Sequence, residues 1–387
     1  MKHNWEYKRL GDVCKIVNGF AFKSELFKDS GMPILRIANI QNDTITTDAL
    51  VFCNPSDYKT DLSKFLVKSD DLVMALSGAT TGKIGINKTN IEFYLNQRVA
   101  LFKDILISRR YLFYFLKTEG KNILESAFGV AQPNVSTSKL TELYIPVPTQ
   151  NVQEQIVAEL DKINETIEDC RELLRNLDAL KLSLFYDYFG DPNTNPKNWN
   201  ISTFGEIGTF IRGGGFLKRD FVDFGIPCIH YGQIHTKFGE VVRKNLTYIS
   251  EYTALKSKFA KPNDVILAIT SEDLEGSCKS VAWLGDFEVA VGGHAAIFTH
   301  NQNPVFISFY TRSNAFCIEK EKYAHGSKVV EIRPKDIEKI PIYLPPLELQ
   351  EKFADRIEQI EAQKKTVENT IAELQTLLDS RMDYWFN

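Results

Sequence analysis

Two segments of the chain place hydrophobic side chains in a regular pattern on a charged background. Within residues 149–190 and again within 346–387, apolar residues recur in steps of three and four, with Lys364 interrupting one position of the second series. An alternation of three and four is typical of a coiled-coil seam, so we predict two long helices that pack together. The predicted seam residues are Leu160, Ile163, Ile167, Leu174, Leu177, Ile357, Ile360, Val367, Ile371 and Leu374.

Five further apolar side chains of these segments lie off the seam. They are Leu173, Leu180, Phe185, Leu377 and Trp385. Packing two helices against each other would not bury this additional apolar surface. Two explanations remain open, namely burial under the chain's own globular domains and docking of helices from partner proteins.

The rest of the chain is an internal duplication. Gly31–Ile40 recurs as Gly225–Ile234 and Asp71–Ser77 recurs as Asp264–Thr270, at offsets of 194 and 193 residues. The pair Gln153-Glu154 recurs as Gln350-Glu351. A repeat of this length indicates two copies of one structural unit. We therefore predict a first globular domain (1–148), a long helix (149–190), a second globular domain (191–345) and a second long helix (346–387).

Each predicted domain alternates short apolar runs with turns. Runs such as Leu72–Leu76 and Val99–Phe102 are typical of strands, whereas Arg109–Thr118 has helical spacing. The predicted fold class is therefore two mixed α/β (α+β) domains, separated by two long antiparallel helices that form a coiled coil. Two copies within one chain favour packing about a pseudo-twofold axis.

Charge and cysteine content narrow the class of protein. The net charge is −4, but the acid is concentrated in residues 151–190 and 346–387, so residues 1–150 and 191–345 are mildly basic, at +4 and +1. Such surfaces are compatible with phosphate binding that partners reinforce. The six cysteines lack C-x-x-C spacing, and no apolar run has the length of a membrane span. We expect a cytoplasmic protein with reduced thiols and no membrane association.

The motifs of common enzymes are missing from this sequence. The Pro-Pro pair within Leu344–Leu347 has the wrong neighbours for an amine methyltransferase, and Gly78–Ile84 is one residue short of a phosphate loop. The six histidines are scattered rather than grouped as metal ligands. We predict no catalytic residues, no metal site and no cofactor in this chain, which favours a binding protein.

The duplicated plan resembles the specificity subunit of type I restriction–modification systems. Similar features are Leu143–Pro148 leading into Gln153–Ile156, Leu344–Phe353, and Leu184–Pro192 followed by Trp199. The resemblance extends over essentially the whole chain. It implies that 1–148 and 191–345 are target-recognition domains, which read the two halves of a split, asymmetric DNA site. It also implies helices that bind two methyltransferase subunits and, through them, restriction-translocase subunits, with S-adenosylmethionine, ATP and magnesium on those partners.

Candidate DNA-binding residues are polar side chains in or beside strand-end and glycine-rich loops. In the first domain they are Asn18, Lys23, Arg36, Asn39, Ser77, Thr80, Lys83, Gln97, Arg98 and Asn134. In the second domain they are Arg212, Lys218, His230, Tyr231, Gln233, Ser271, His294, Lys328 and Arg333.

Structural roles are the alternative for many of these residues. Asn18 fits a turn, and Arg36 and His230 lie in apolar runs where framework residues are common. Ser77 and Thr80 have the chemistry of turn caps, and any single lysine could be an ordinary solvated one. Two other functions also stay open: an autonomous enzyme that cuts or modifies DNA, and a coiled-coil scaffold without a nucleic-acid role.

Overall fold

The computed structural model describes residues 4–126, 135–326 and 329–387. The chain folds into two compact units, the first comprising Met1–Arg171 with Asn369–Asn387 and the second Glu172–Glu368. Each unit thus combines one globular domain with part of both long helices. No helix in the described ranges has the length and apolarity that crossing a membrane requires.

The first unit contains two main sheets. Its strands are β1 Glu6–Arg9, β2 Lys15–Asn18, β3 Met32–Leu35, β4 Ile40–Gln41, β5 Thr44–Ile45, β6 Val51–Cys53, β7 Leu66–Val67, β8 Leu72–Ala75, β9 Ile84–Ile86, β10 Phe93–Leu95, β11 Val99–Lys103 and β12 Tyr144–Val147. They form one sheet of order β2-β11-β8-β9-β5-β4, another of order β6-β3-β10-β7, and the pair β1-β12. Its helices are α1 Leu10–Val13, α2 Arg109–Ser126, α3 Thr137–Thr141 and the start of α4 Gln150–Phe189.

The second unit repeats this topology. Its strands are β13 Asn200–Thr203, β14 Gly208–Arg212, β15 Phe221–Val222, β16 Ile226–Ile229, β17 Val241–Val242, β18 Thr247–Ile249, β19 Lys258–Ala260, β20 Val265–Ala268, β21 Thr270–Ser271, β22 Ser280–Trp283, β23 Val289–Val291, β24 Ala295–His300, β25 Val330–Glu331 and β26 Pro341–Leu344. The orders β14-β24-β20-β22-β17 and β15-β18-β16-β23-β19 match the first unit's two sheets, except that β15 is added at one edge and the first unit's edge strand β4 has no counterpart in this order. The predicted duplication of a mixed α/β domain is confirmed.

Helices of the second unit are mostly short. They are α5 Phe204–Ile207, α6 Tyr231–Thr236, α7 Glu251–Ala254, α8 Pro304–Tyr310, α9 Asn314–Glu321, α10 Pro334–Ile337 and the first part of α11 Leu347–Phe386. Both long helices, α4 and α11, have 40 residues; the end of α4 also belongs to the second unit and the end of α11 to the first.

The long helices pair within each unit. In the second unit Lys364 bonds Asp178 and Lys181 bonds Glu361, so residue numbers fall along α11 as they rise along α4. This order is antiparallel, as predicted. In the first unit the guanidinium of Arg381 makes a two-point ion pair with Glu159.

The predicted seam residues differ in burial. Leu160, Ile163, Ile167, Leu177, Ile357 and Ile360 are buried, whereas Leu174, Val367, Ile371 and Leu374 are half-buried. Ile371 and Leu374 pack against the first unit's core. The half-buried positions therefore still contribute apolar contact, although with less area removed from water.

Of the two explanations left open for the off-seam residues, burial under the chain's own domain holds for Phe185, whereas Trp385 is half-buried. Phe185 is 1% exposed and packs among Phe189, Phe306, Phe309 and Phe353 in the second unit's core. Trp385 stacks on Trp5 and donates to Glu159 over 3.0 Å. The globular domains thus use these two side chains themselves, while Leu173, Leu180 and Leu377 are exposed.

A buried glutamine at the start of each long helix explains the repeated Gln-Glu pair. Gln153 donates to the carbonyl of Pro148 and accepts from the backbone N–H of Ser108, each over 2.9 Å. Gln350 likewise donates to Pro345 over 2.9 Å and accepts from Asn303 over 3.0 Å. Ser108 and Asn303 are the residues immediately before α2 and α8. Each glutamine therefore ties a long helix to the adjoining strand and to a core helix.

Replacing this glutamine should destabilise the unit in which it lies. Gln350→Leu leaves the Asn303 N–H and the Pro345 carbonyl buried without partners, so we expect the second unit to lose about 1–3 kcal/mol. Native-state hydrogen exchange, read separately for the amides of each unit, measures the change. Gln153→Leu should have the matching effect on the first unit. The exposed neighbour Glu351→Gln is the control, and equal exchange in all variants would contradict the role of the glutamine.

Candidate nucleic-acid interface

Both units open a cleft at the same point of the fold. In the first unit β3 and β10 run parallel and are followed directly by Arg36 and Asn96. In the second unit β16 and β23 run parallel and are followed directly by His230 and Gly292. Carboxyl ends of neighbouring parallel strands share one edge of a sheet, which is a common position for binding sites. The duplication therefore builds two equivalent clefts, each lined by its own loops.

The first unit's cleft has a volume of about 410 Å³ and includes three predicted residues, Arg36, Gln97 and Arg98. The side chain of Asn96 accepts from the backbone N–H of Arg98 over 3.2 Å, which fixes the turn that presents Gln97 and Arg98 to solvent. Arg36 donates to the carbonyl of Ala49 over 3.1 Å, and its Nε is buried without a partner among the described residues. These groups are mainly hydrogen-bond donors, and donors of this type recognise purine edges and phosphates.

The second unit's cleft is larger, about 930 Å³, and includes the predicted Lys218, Tyr231, Ser271 and His294. The rings of Tyr231 and His294 lie with centroids 5.0 Å apart. His235 shares a hydrogen bond of 3.1 Å with the carbonyl of Thr270 on the same wall. Aromatic faces and mixed donors and acceptors therefore replace the arginine-rich lining of the first cleft.

The two clefts also differ in charge. Arg36 and Arg98 are the charged residues among those that line the first cleft in the described part of the chain. The second cleft combines cations with carboxylates along its wall and floor: Lys218, Lys279 and Arg312 with Glu240, Glu272, Asp273 and Glu275. Linings of such different character should favour different ligands.

Two predicted base-reading residues have structural roles instead. Asn39 is 1% exposed, accepts from the backbone N–H of Arg36 and donates to the carbonyl of Asp48. Gln233, its counterpart, accepts from the backbone N–H of His230 and donates to Thr247. Because both amide groups are used internally, these predictions are corrected: the pair holds the same turn in each unit.

The prediction that His230 binds DNA is also corrected. It is 4% exposed, and its Nδ1 accepts from the N–H of Gly232 at the start of α6. Burial, together with the charges of Lys218 and His294, lowers the pKa of His230 from 6.5 to about 4. It is therefore a neutral cap of the helix and does not present its ring to the surface.

The remaining candidates lie outside the lining of the clefts. Asn18 and Lys83 are exposed, and Lys23 is exposed with a long ion pair to Glu25. Arg212 donates to the carbonyl of Gly293 over 2.8 Å and pairs with Glu331, which places it under the loop that carries His294. Arg333 is exposed and directly precedes α10. Asn134 and Lys328 lie outside the described residues.

Three hydroxyl oxygens at equivalent loops are buried without a hydrogen-bond partner in the described ranges. They belong to the predicted Ser77 and Thr80 and to Thr270, which lines the second cleft. Thr270 occupies the position of Ser77 in the repeat and was missed, although the 193-residue offset pointed to it. Glu240, Lys279 and Arg312 were also missed, because only the folded chain brings them to the cleft.

No group of three or more His, Cys, Asp or Glu side chains in the described ranges is placed to hold a metal ion.

Comparison with known proteins shows a match over most of the chain. The profile of the type I restriction modification DNA specificity domain matches residues 2–177 and again 196–376. The EcoAI specificity subunit of Escherichia coli is 28% identical over 191 residues, 48% of this chain and 32% of that protein. The MjaVIII specificity subunit of Methanocaldococcus jannaschii is 32% identical over 186 residues, 46% of this chain and 44% of that protein. The aligned part thus spans less than half the length of these two relatives.

Two further matches extend along the full chain. The putative MjaX specificity subunit of Methanocaldococcus jannaschii is 24% identical over 411 residues, 95% of this chain and 92% of that protein. A solved chain from work on complex assembly and conformational transition of the type I R-M system aligns with a TM-score of 0.63 and 17% identity. It covers 98% of this chain and 96% of the solved one. At that identity the structural match supports the fold.

Acid should destabilise the second unit through its buried histidines. Burial lowers the pKa of His230 and of His300 from 6.5 to about 4 in the folded chain. Below pH 6.5 the unfolded chain therefore binds protons that the folded chain does not bind. Stability present above pH 6.5 is lost as the pH falls towards 4.

Thermal unfolding at pH 7.5 and at pH 5 measures this loss. His230→Asn offers an amide oxygen as the acceptor that caps α6 and removes the titrating ring, so its stability should fall less between the two values. The exposed His325→Asn is the control, because His325 is not among the groups that lower the pKa of His230, and it should behave as the original chain does. A loss that is the same in all three proteins would assign the acid sensitivity to other groups.

Proposed function

The chain belongs to the family of the type I restriction modification DNA specificity domain, and from this membership we propose that it is the DNA-reading subunit of a type I restriction–modification complex. The observation that carries the proposal is the pair of equivalent clefts with dissimilar linings. A single framework, repeated twice, supplies two binding positions of different chemistry. A split and asymmetric DNA site has the same organisation.

In this function the first cleft reads one half-site and the second reads the other. Arg36, Gln97 and Arg98 offer donors suited to guanine and adenine edges in the major groove. In the second cleft Tyr231 and His294 offer apolar faces with polar tips, and Ser271 offers a hydroxyl. The mild positive charge of the globular domains provides limited attraction to phosphates, so partner subunits add to the grip.

The chain itself acts as a non-catalytic reader in this proposal. Two methyltransferase subunits bind the long helices, and restriction-translocase subunits join through them. The exposed Leu173, Leu180 and Leu377 supply apolar contact for such docking. S-adenosylmethionine, ATP and magnesium then belong to the partner subunits, and the complex works in the cytoplasm.

Single substitutions in the two clefts should alter the two half-sites separately. Arg98→Ala removes a donor from the first cleft and should relax one position of one half-site, with a loss of discrimination of about 1–3 kcal/mol. His294→Ala should relax only the other half-site. Mapping of methylated bases in cells that contain the partner subunits and each variant reveals the recognised motif.

Lys103→Ala is the matched control for Arg98→Ala. Arg98 directly precedes strand β11, and Lys103 is the last residue of the same strand. This control should leave the motif unchanged. If either cleft variant lost base discrimination in both half-sites, the two clefts would not read their half-sites independently. Cleavage or methylation of DNA by the purified chain alone would support an autonomous enzyme instead, and motif-independent binding would support a scaffold.

A further inference from the structure

A lysine of helix α4 is buried in contact with Glu240, one of the residues that line the second unit's cleft. Lys181 is 3% exposed, whereas its neighbours Leu180 and Leu182 are 45% and 50% exposed. A buried ammonium is costly unless each of its three N–H groups has a partner. The surroundings of Lys181 meet that requirement, and they connect the helices to the cleft.

Three carboxylates surround the ammonium of Lys181. Its Nζ lies 2.7 Å from an oxygen of Glu240, 2.7 Å from Glu361 and 3.0 Å from Asp178. Burial by itself would lower the pKa of Lys181, but the attraction of Glu240 and Glu361 raises it above its ordinary value. The group is therefore a permanent cation that joins α4, α11 and the globular domain within the second unit.

Glu240 connects Lys181 to the cleft. We call the part of the cleft that is lined by Glu240 and Arg312 its floor. Its backbone carbonyl accepts from the N–H of Ala282 over 2.8 Å and from the hydroxyl of Ser308 over 2.9 Å. Its second carboxylate oxygen faces the guanidinium of Arg312 at 3.5 Å, and both residues line the cleft. Arg312 in turn donates to the carbonyls of Gly239 and Ser280. The backbone of Glu240 is thus fixed by the domain, while its carboxylate lies between Lys181 and Arg312.

Removing the ammonium of Lys181 would change the position of the Glu240 carboxylate. Glu240 and Glu361 approach the same nitrogen, so without Lys181 two carboxylates, the first largely buried and the second partly exposed, are left close together. Their repulsion would move the Glu240 side chain, and with it the negative charge that faces Arg312 in the lining of the cleft. The hydrogen-bonding pattern offered by the cleft floor would then change.

The first unit has no such arrangement at the matching position. The Gln-Glu repeat has an offset of 197 residues, which places Leu378 where the second unit has Lys181. Leu378 is 1% exposed and belongs to the first unit's hydrophobic core. An apolar side chain is therefore sufficient to pack a helix against the domain, and packing alone does not explain the lysine.

We propose that Lys181 is a positioning residue for DNA reading: through Glu240 and Arg312 it sets the floor of the second unit's cleft and thereby the specificity for one half-site. This inference rests on the proposed function and adds to it a specificity determinant that lies in a helix outside both recognition domains as the repeat defines them.

The test uses the full chain in complex with its methyltransferase subunits. Methylation rates are compared for a duplex with the recognised motif and for duplexes with one changed base pair in either half-site. Lys181→Met should reduce discrimination in the second unit's half-site about tenfold or more, a coupling typical of residues in one charged network. Discrimination in the other half-site should stay as in the original chain. Lys365→Met, which removes an exposed lysine of α11 in the same unit, is the matched control and should change neither.

The outcomes separate this inference from simpler explanations. Unchanged discrimination in both half-sites, or an equal loss in both, would overturn the positioning role. If Lys181→Met is unfolded at the assay temperature, Lys181→Met with Glu361→Gln replaces it, because the second change removes the Glu361 charge that would face Glu240. Absence of any sequence preference in the original complex would instead reject the proposed function itself.

Discussion

Each unit completes its hydrophobic core with segments of both long helices, and this shared burial is the constraint on which the rest of the structure depends. In the first unit Leu160 of α4 and Leu378 of α11 lie in one core with Leu112. In the second unit Phe185 and Phe353 do the same from the opposite ends of those helices. Fully burying a side chain of this size contributes about 1.5–3 kcal/mol, so a globular domain without its helix segments loses a large part of its stability. The helices are therefore part of each domain's core and not a linker added between finished domains.

The two copies of the framework share the residues that hold its turns and helices, whereas the residues that line the clefts differ. Asn39 and Gln233 close the same turn by accepting from the backbone N–H three residues earlier, and Gln153 and Gln350 fix the helices in the same way. The positions beside these bonds are not so constrained. Arg98 of the first cleft therefore corresponds to His294 of the second. The two linings differ while the fold stays the same.

Charge is handled differently in the two units. The first unit's cleft is lined by arginines without a carboxylate among its described lining residues, whereas the second balances cations against acids on its floor. A buried ionic network adds little net stability compared with apolar packing of the same volume, but it demands one arrangement of its members. The network around Lys181 therefore gives the second unit geometric definition where the first unit relies on an apolar contact.

The local pattern of the sequence determined the repeated plan, the long helices and the sheets, because hydrophobic periodicity and the offsets of a duplication are properties of the chain itself. It also identified Arg36, Arg98, Tyr231 and His294 as cleft residues, since each lies in a loop beside a strand end. Only the tertiary structure decided which polar side chains are used internally, as with Asn39 and His230, and which apolar ones are buried, as with Phe185. It also brought Lys181, Glu240 and Arg312 together from distant parts of the chain. Burial and partnership depend on residues far apart in sequence, and no local pattern contains that information.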